Sequence, residues 1–177
     1  MSFRALVVDK DGDNVSVELK TLEESELMPG EVTIKVEWSS VNYKDGLAST
    51  ASGRVVQSYP MVPGIDLAGA VLASDDSRFE PGQAVVAIGY DIGVAHFGGF
   101  AEVARVPADW VAAVPDGLTT KEAMALGTAG FTAAQSIDAL ERFGLKSGNG
   151  PVIVTGATGG VGSTAVSMFA GLGHEVE

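Results

Sequence analysis

Short runs in which apolar and polar residues alternate dominate the first two thirds of the chain. In the clearest run every second side chain is apolar, at Val32, Ile34, Val36 and Trp38. This period of two predicts a strand with one buried face that carries all four side chains. Similar runs bounded by Pro and Gly predict strands at 3–8, 15–19, 65–73, 83–89, 100–106 and 109–114. Several short strands at roughly regular spacing predict an antiparallel barrel or sandwich.

The periodicity changes from strand-like to helical near residue 119. Thr119 and Glu122 have the spacing of a capping box, which predicts a short helix over 123–126. We expect the glycines within 127–130 to break this helix and a longer helix to follow over 131–143. The sequence therefore predicts a mostly β domain at 1–122 and the beginning of an α/β domain at 123–177.

A glycine-rich turn follows the run Val152–Val154, whose β-branched side chains are typical of a short buried strand. A helical pattern over 161–172 comes directly after the turn. This strand–turn–helix order is the context in which a glycine turn binds the pyrophosphate of a dinucleotide. The residues that we predict to contact such a cofactor are Thr158, Gly159, Gly160 and Val161. The alternative is a tight turn that binds no ligand.

The predicted α/β domain contains one strand, one helix and the start of a second strand at 174–177. A doubly wound dinucleotide fold needs roughly six strands. We therefore expect this domain to be incomplete. The acidic residue that holds the adenine ribose is expected beyond the chain, and neither Glu175 nor Glu177 is assigned to it.

The 177 residues carry 23 acidic and 11 basic side chains, a formal net charge of −12, and no cysteine. A surface of this charge repels phosphate backbones, so we expect no nucleic-acid partner. The lack of cysteine excludes disulfides and every Cys-based zinc site from this chain. No apolar run approaches the length of a membrane span and no signal-peptide core is visible, so we expect a cytoplasmic protein. We expect His96 and His174 to be ordinary surface residues.

Five motifs follow one another along the chain: Ser40–Asp45 (SVNYKD), Pro63–Gly69 (PGIDLAG), Gly98–Glu102 (GGFAE), Gly127–Ala133 (GTAGFTA) and Thr155–Gly162 (TGATGGVG). Together they resemble the medium-chain dehydrogenase/reductase superfamily, and most of all the acryloyl-CoA-reductase-like subfamily of its zinc-free quinone oxidoreductases. The resemblance implies a GroES-like, partly open β-barrel followed by the truncated start of a Rossmann fold. Zinc enzymes of this superfamily carry Cys at the position of Asn42 and Gly-His-Glu at positions 64–66, so we expect no metal site.

The resemblance also implies NADPH as the cofactor and hydride transfer to a quinone or to an α,β-unsaturated carbonyl such as acryloyl-CoA. It implies a homodimer for the full-length protein. In the polar cluster Asn42–Asp45 we expect Asn42 to donate to a carbonyl, Tyr43 to contact the nicotinamide or donate a proton, and Asp45 to orient Lys44 or Tyr43. The resemblance also implies a cofactor contact for Thr128. A structural alternative stands beside these roles, because Asn42, Asp45 and Thr128 are also residue types that cap or begin a helix. Asp66 either faces the cleft or caps a turn.

Two other functions remain open from the sequence. The 177 residues alone are expected to be inactive, and a GroES-like domain with an incomplete nucleotide domain could serve as a folding or association module. A longer protein could also bind NADPH as a sensor without turnover. Tyr90 and Phe97 could line a substrate cleft or only pack.

Overall fold

The computed structural model describes Met1 to Glu177, which divide into two compact units, Met1–Ala125 and Leu126–Glu177. In the first unit, β1 (Ser2–Asp11) and β2 (Asn14–Glu23) form an antiparallel hairpin. A second, five-stranded antiparallel sheet consists of β3 (Val32–Ser39), β4 (Asp66–Ser74), β5 (Ala84–Ile88), β6 (Val103–Val106) and β7 (Val111–Ala113), in the spatial order β6-β3-β4-β5-β7. Single-turn 3₁₀ helices at Glu24–Glu26 and Ala108–Trp110 lie in the connections. The predicted fold class, mainly antiparallel β followed by α/β elements, is confirmed.

The predicted half-buried strand, β3, follows its alternating pattern only from Ile34 to Glu37. Val32 and Ile34 are fully buried, but Thr33 between them is also buried, and Trp38 is 45% exposed. The pairing of β3 with β4 shifts register between Thr33 and Ile34 and again just before Trp38, and such irregularities bend and twist a strand. The prediction of one shared face was therefore wrong at Trp38, whose ring instead lies 4.9 Å from the Lys121 ammonium.

Two groups of buried apolar side chains stabilise the first unit. The larger group lies on the five-stranded sheet and includes Val32, Ile34, Leu67, Val71, Val85 and Val106. The other joins the hairpin to the rest of the unit and includes Phe3, Val7, Leu27, Val62 and Val103. Burial of this apolar surface is the main favourable contribution to folding.

The long helix α2 (Thr120–Arg142) contains one non-helical residue, Gly127, with φ 48° and ψ −152°. Its start is the predicted capping box. The Glu122 N–H donates to Thr119 Oγ1 at 3.2 Å, and the Thr119 N–H donates to Glu122 Oε2 at 2.8 Å. The predicted break over 127–130 is confined to Gly127, because only this residue has a backbone conformation that side chains disfavour, and the helix resumes at Thr128.

The second unit is completed by α3 (Gly160–Gly171) and by two short extended segments. Val152 pairs in parallel with Val176, and the Val152 N–H donates to the Glu175 carbonyl oxygen at 2.8 Å. The buried core of the unit consists of Ala133, Ile137, Ala165 and Phe169. The predicted domain division at 122/123 stays a prediction. None of the helices combines the length and the apolar composition that a membrane crossing requires.

Both histidines are buried, so the expectation that they are ordinary surface residues was wrong. His96 Nε2 lies 2.7 Å from the Arg105 carbonyl oxygen, and its ring meets the edge of the Trp110 ring. His174 packs edge-on against Phe169 at 5.3 Å. Trp110 packs against the His96 ring, and Phe169 of the preceding helix packs against the His174 ring. The polarity of the residues next to each histidine in the sequence does not reveal these contacts.

Candidate functional site

The short helix α1 (Tyr43–Ala48) begins four residues after β3 ends, and its N-cap and first turn carry the three predicted catalytic residues. Asn42 is the N-cap residue, with extended backbone at φ −118° and ψ 157°. The Asn42 N–H donates to Asp45 Oδ2 at 2.7 Å, which is one arm of a capping box. The structural alternative from the sequence, a polar helix cap after a strand, is thus present in the fold.

Asp45 links α1 to the loop that precedes β4. Its side chain is 2% exposed. Besides the Asn42 N–H, its carboxylate accepts the Gly64 N–H at 3.1 Å and the Ile65 N–H at 2.9 Å, both on Oδ1. Buried backbone donors need such partners, and a carboxylate is favourable at a helix N-terminus. Asp45 therefore fixes the position of the first turn of α1; its predicted catalytic role stays a prediction.

A buried polar cluster of Ser40, Asn42 and Asp66 lies beside this helix start. Asp66 is fully buried and begins β4. Asn42 Nδ2 donates to Asp66 Oδ2 at 3.0 Å and to Ser40 Oγ at 2.9 Å, while the Ser40 hydroxyl donates to the same Asp66 oxygen. Because a buried carboxylate is costly without donors, these hydrogen bonds stabilise Asp66 in the interior.

The buried polar cluster shows which residues Asp66 faces and adds a residue that the sequence analysis missed. The Asp66 carboxylate faces Asn42 and Ser40. Ser40 was not among the predicted site residues, although it is the first residue of the motif Ser40–Asp45. That position in the motif is the only signal that points to it.

Tyr43, the first residue of α1, is 85% exposed, and its neighbour Val41 is 89% exposed. The Tyr43 hydroxyl makes no hydrogen bond within the chain. A large aromatic side chain in this position adds little to the packing of the unit. It is accessible to a ligand, with a hydroxyl that can both donate and accept.

In the second unit, the glycine turn and the start of α3 have the geometry of an anion site. Gly159 is the N-cap of α3 and contributes no side chain. A Cβ at Gly162 would lie only 2.2 Å from the Gly156 carbonyl oxygen, so close packing of helix on turn requires glycine there. The first N–H groups of a helix have no intrahelical partner. This turn therefore fits the pyrophosphate of a dinucleotide.

The structure brings the predicted cofactor residues of the second unit onto adjacent segments. Thr158 and Gly159 lie on the glycine turn, Gly160 and Val161 begin α3, and all four residues are exposed. Thr128 begins the helix that resumes after Gly127, and a Cβ at Gly160 would lie 3.2 Å from Cβ of the next residue, Ala129. Thr128 therefore directly precedes Ala129, the residue of α2 that approaches Gly160. The cofactor roles of these residues stay predictions.

Tyr90 packs in the first unit against residues outside the buried polar cluster. It stacks on Trp110 with ring centroids 5.2 Å apart, and its hydroxyl donates to the Asp109 carbonyl oxygen at 3.2 Å. Phe97 is partly buried against the apolar group that joins the hairpin to the rest of the unit. Both residues therefore make packing contacts. No group of three or more His, Cys, Asp or Glu side chains is arranged to hold a metal ion.

Comparison with known proteins places these features in a family. The alcohol dehydrogenase GroES-like domain matches residues 28–116. The acrylyl-CoA reductase AcuI of Ruegeria pomeroyi is 53% identical over 98% of this chain and 53% of its own length. The putative quinone oxidoreductase YhfP of Bacillus subtilis is 51% identical over 98% of this chain and 53% of its own length.

Solved structures give the same result. The yhdH oxidoreductase from Salmonella enterica in complex with NADP has a TM-score of 0.94 and 49% identity, over 99% of this chain and 54% of that chain. The Bacillus subtilis protein yhfP with NAD bound has a TM-score of 0.96 and 50% identity, over 99% of this chain and 54% of that chain. The chain spans about half the length of the relatives it matches.

Proposed function

The chain belongs to the alcohol dehydrogenase GroES-like domain family within the medium-chain dehydrogenases/reductases, and from this membership we propose that the full-length protein is an NADPH-dependent, zinc-independent reductase. Its proposed acceptor is a quinone or an α,β-unsaturated carbonyl such as acryloyl-CoA. The observation that carries the proposal is the 53% identity to an acrylyl-CoA reductase across nearly the whole chain. The relatives named above give no support to a folding module or a sensor.

NADPH, when bound, supplies the hydride. Its pyrophosphate would be held by Gly159, Gly160 and Val161 at the start of α3, because exposed N–H groups and the positive end of the helix dipole favour an anion there. Thr158 lies on the same turn and would add a hydroxyl contact. Thr128, beside the contact between α2 and Gly160, would contact the cofactor from α2.

Tyr43 is the residue that we assign to the reacting part of the substrate. Reduction of an enoyl thioester places negative charge on the thioester oxygen and then requires a proton at the α-carbon. Hydrogen-bond donors stabilise such an oxyanion when they are already in position. The Tyr43 side chain is exposed and its hydroxyl is not used within the chain, so it can donate to the oxygen or deliver a proton.

Asn42 and Asp45 contribute to the reaction by holding Tyr43 in place, and they do not contact the substrate. Both hydrogens of Asn42 Nδ2 have acceptors in the buried polar cluster, and the Asp45 carboxylate accepts backbone donors from two segments. They hold the first turn of α1, and hence Tyr43, relative to β4. This proposal assigns Asn42 a positioning role, in place of the carbonyl donor expected from the sequence.

We further propose that the full-length protein is a cytoplasmic homodimer whose ligands are small molecules. This part rests on the family resemblance alone. Light scattering of the purified full-length protein measures its mass in solution. A monomer would contradict the homodimer without affecting the proposed reaction.

Consumption of NADPH by the full-length protein tests the proposal. We expect turnover with acryloyl-CoA or with a quinone, and a direct comparison of the two identifies the preferred acceptor. NADPH binding without turnover on any acceptor would contradict the reductase and favour a sensor. If the protein uses NADH in preference to NADPH, the cofactor assignment is wrong but the reductase function is not affected.

A further inference from the structure

The segment from 39 to 66, which contains the buried polar cluster, exposes only positive charge. It contains two cations, Lys44 and Arg54, which are exposed, and two acids, Asp45 and Asp66, which are both buried. Asp45 is buried and its carboxylate is bound by backbone N–H groups. The exposed charge of the segment is therefore positive, within a chain whose formal net charge is −12.

Lys44 and Arg54 have no acidic partner, and Arg54 is the one arginine of the first unit without one. Arg4 pairs with Glu102, Arg78 with Asp76 and Asp109, and Arg105 with Glu24. No ion pair or hydrogen bond involves the Lys44 or Arg54 side chain, and both residues are exposed. A cation without a partner in an acidic protein is available to an anionic ligand.

The backbone holds Arg54 against α1. A Cβ at Gly53 would lie 1.8 Å from the Leu47 carbonyl oxygen, so the turn packs directly on the end of this helix. Three residues after Arg54, the Gln57 N–H donates to the Val94 carbonyl oxygen at 2.9 Å. Arg54 itself has φ 51°, a left-handed conformation that is uncommon for residues other than glycine.

Lys44 is the second residue of the same helix and directly follows Tyr43. Lys44 thus lies on α1, and Arg54 follows the turn that packs on the end of this helix. The first residue of α1 is the one that we assign to the reacting part of the substrate. We propose that Lys44 and Arg54 form a cationic surface that binds the phosphate groups of a phosphate-bearing acyl substrate, a coenzyme A thioester. This inference rests on the proposed reductase function and selects the thioester over the neutral quinone.

The chemistry of the two side chains suits this ligand. The Arg guanidinium binds phosphate through two parallel hydrogen bonds, and the Lys ammonium acts as a mobile point charge. A neutral quinone has no anionic group for either cation to bind. The phosphate of NADPH is a second source of the same chemistry, so the experiment has to separate the substrate from the cofactor.

The test compares two thioesters in the full-length protein. Acryloyl-CoA carries phosphates, whereas the acryloyl thioester of N-acetylcysteamine has the same reacting group without them. The variants are Arg54→Asn, which removes the charge with a residue that tolerates a positive φ, and Lys44→Gln. Lys10→Gln is the control, since Lys10 is an exposed cation on the β1–β2 hairpin without an ion pair.

We expect each test variant to raise the KM for acryloyl-CoA by about fivefold, the order expected of an exposed charge pair. The KM for the N-acetylcysteamine thioester, the KM for NADPH and kcat are expected to stay unchanged. Arg54→Lys is expected to recover part of the loss. Added salt should raise the wild-type KM for acryloyl-CoA and have less effect in the variants, because salt screens exposed charges.

Three results would overturn the cationic surface. An unchanged KM for acryloyl-CoA would do so, as would equal changes for both thioesters. A rise confined to the KM for NADPH would assign the cations to the cofactor instead. If the wild-type protein reduces neither thioester nor a quinone, the proposed reductase function fails by itself. Calorimetric binding of coenzyme A to the wild type and to Arg54→Asn then decides whether the cations bind phosphate.

Discussion

Replacing Asp45 tests whether one buried carboxylate holds the first turn of α1 against the loop before β4. In Asp45→Ala, the Gly64 and Ile65 N–H groups lose their acceptor in a buried environment, at about 1–3 kcal/mol for each unsatisfied group. Loss of the capping arm from the Asn42 N–H adds about 1 kcal/mol. We expect a loss of about 3–7 kcal/mol in the free energy of unfolding of the first unit.

Asp45→Asn separates the hydrogen bonds from the charge. Its amide oxygen can still accept both loop N–H groups, but its NH₂ group would face the Asn42 N–H, so donor meets donor. We expect this variant to lose only about 1–2 kcal/mol. Asp116→Ala is the matched control, because Asp116 is exposed and makes no side-chain hydrogen bond or ion pair. It should stay within about 0.5 kcal/mol of the wild type.

Urea unfolding followed by tryptophan fluorescence measures these differences in one unit alone. Both tryptophans, Trp38 and Trp110, lie in the unit Met1–Ala125, so the signal reports on the part of the chain that contains Asp45. A loss below about 1 kcal/mol in Asp45→Ala would refute the assignment of this carboxylate as the link. Equal losses in the Ala and Asn variants would show that charge, and not hydrogen-bond geometry, is decisive.

Three further predictions concern the glycine turn, a surface ion pair and the exposed tyrosine. Gly162→Ala would place a Cβ 2.2 Å from a carbonyl oxygen, so we expect NADPH binding measured by calorimetry to weaken at least tenfold. The control Gly171→Ala has open space around its new Cβ and should bind normally. Arg78 lowers the pKa of Asp76 to about 2, so the stabilising contribution of this carboxylate is complete above its usual pKa and is lost as the pH falls towards 2. Acid unfolding of Asp76→Asn should therefore differ from wild type above about pH 4 and converge with it near pH 2; a constant difference would contradict this. Tyr43→Phe should lower kcat at least tenfold and NADPH affinity by less, and it should leave stability unchanged because the side chain is 85% exposed; an unchanged kcat would rule out its assigned role.

Local signals in the sequence were enough to predict the elements that carry the site. The Thr119–Glu122 capping box, the break at Gly127 and the strand–turn–helix order around 152–172 depend on residues within one turn of each other. The five motifs, taken in their order along the chain, were enough to predict the family. The alternation in β3 was less reliable, because the register shifts that expose Trp38 arise from pairing with β4 and leave no local signal.

The sequence by itself determined the fold class, the glycine turn and the residue types around α1, because backbone periodicity, capping and glycine conformation act over a few residues. Only the tertiary structure decided which of those residues meet. Asp45 finds its partners 19 and 20 residues away, and Asn42 meets Asp66 at a distance of 24 residues. Such hydrogen bonds depend on how β3, α1 and β4 pack together, so composition and spacing could not distinguish the positioning role of Asn42 from that of a substrate donor. The same packing buried both histidines and left Tyr43 exposed.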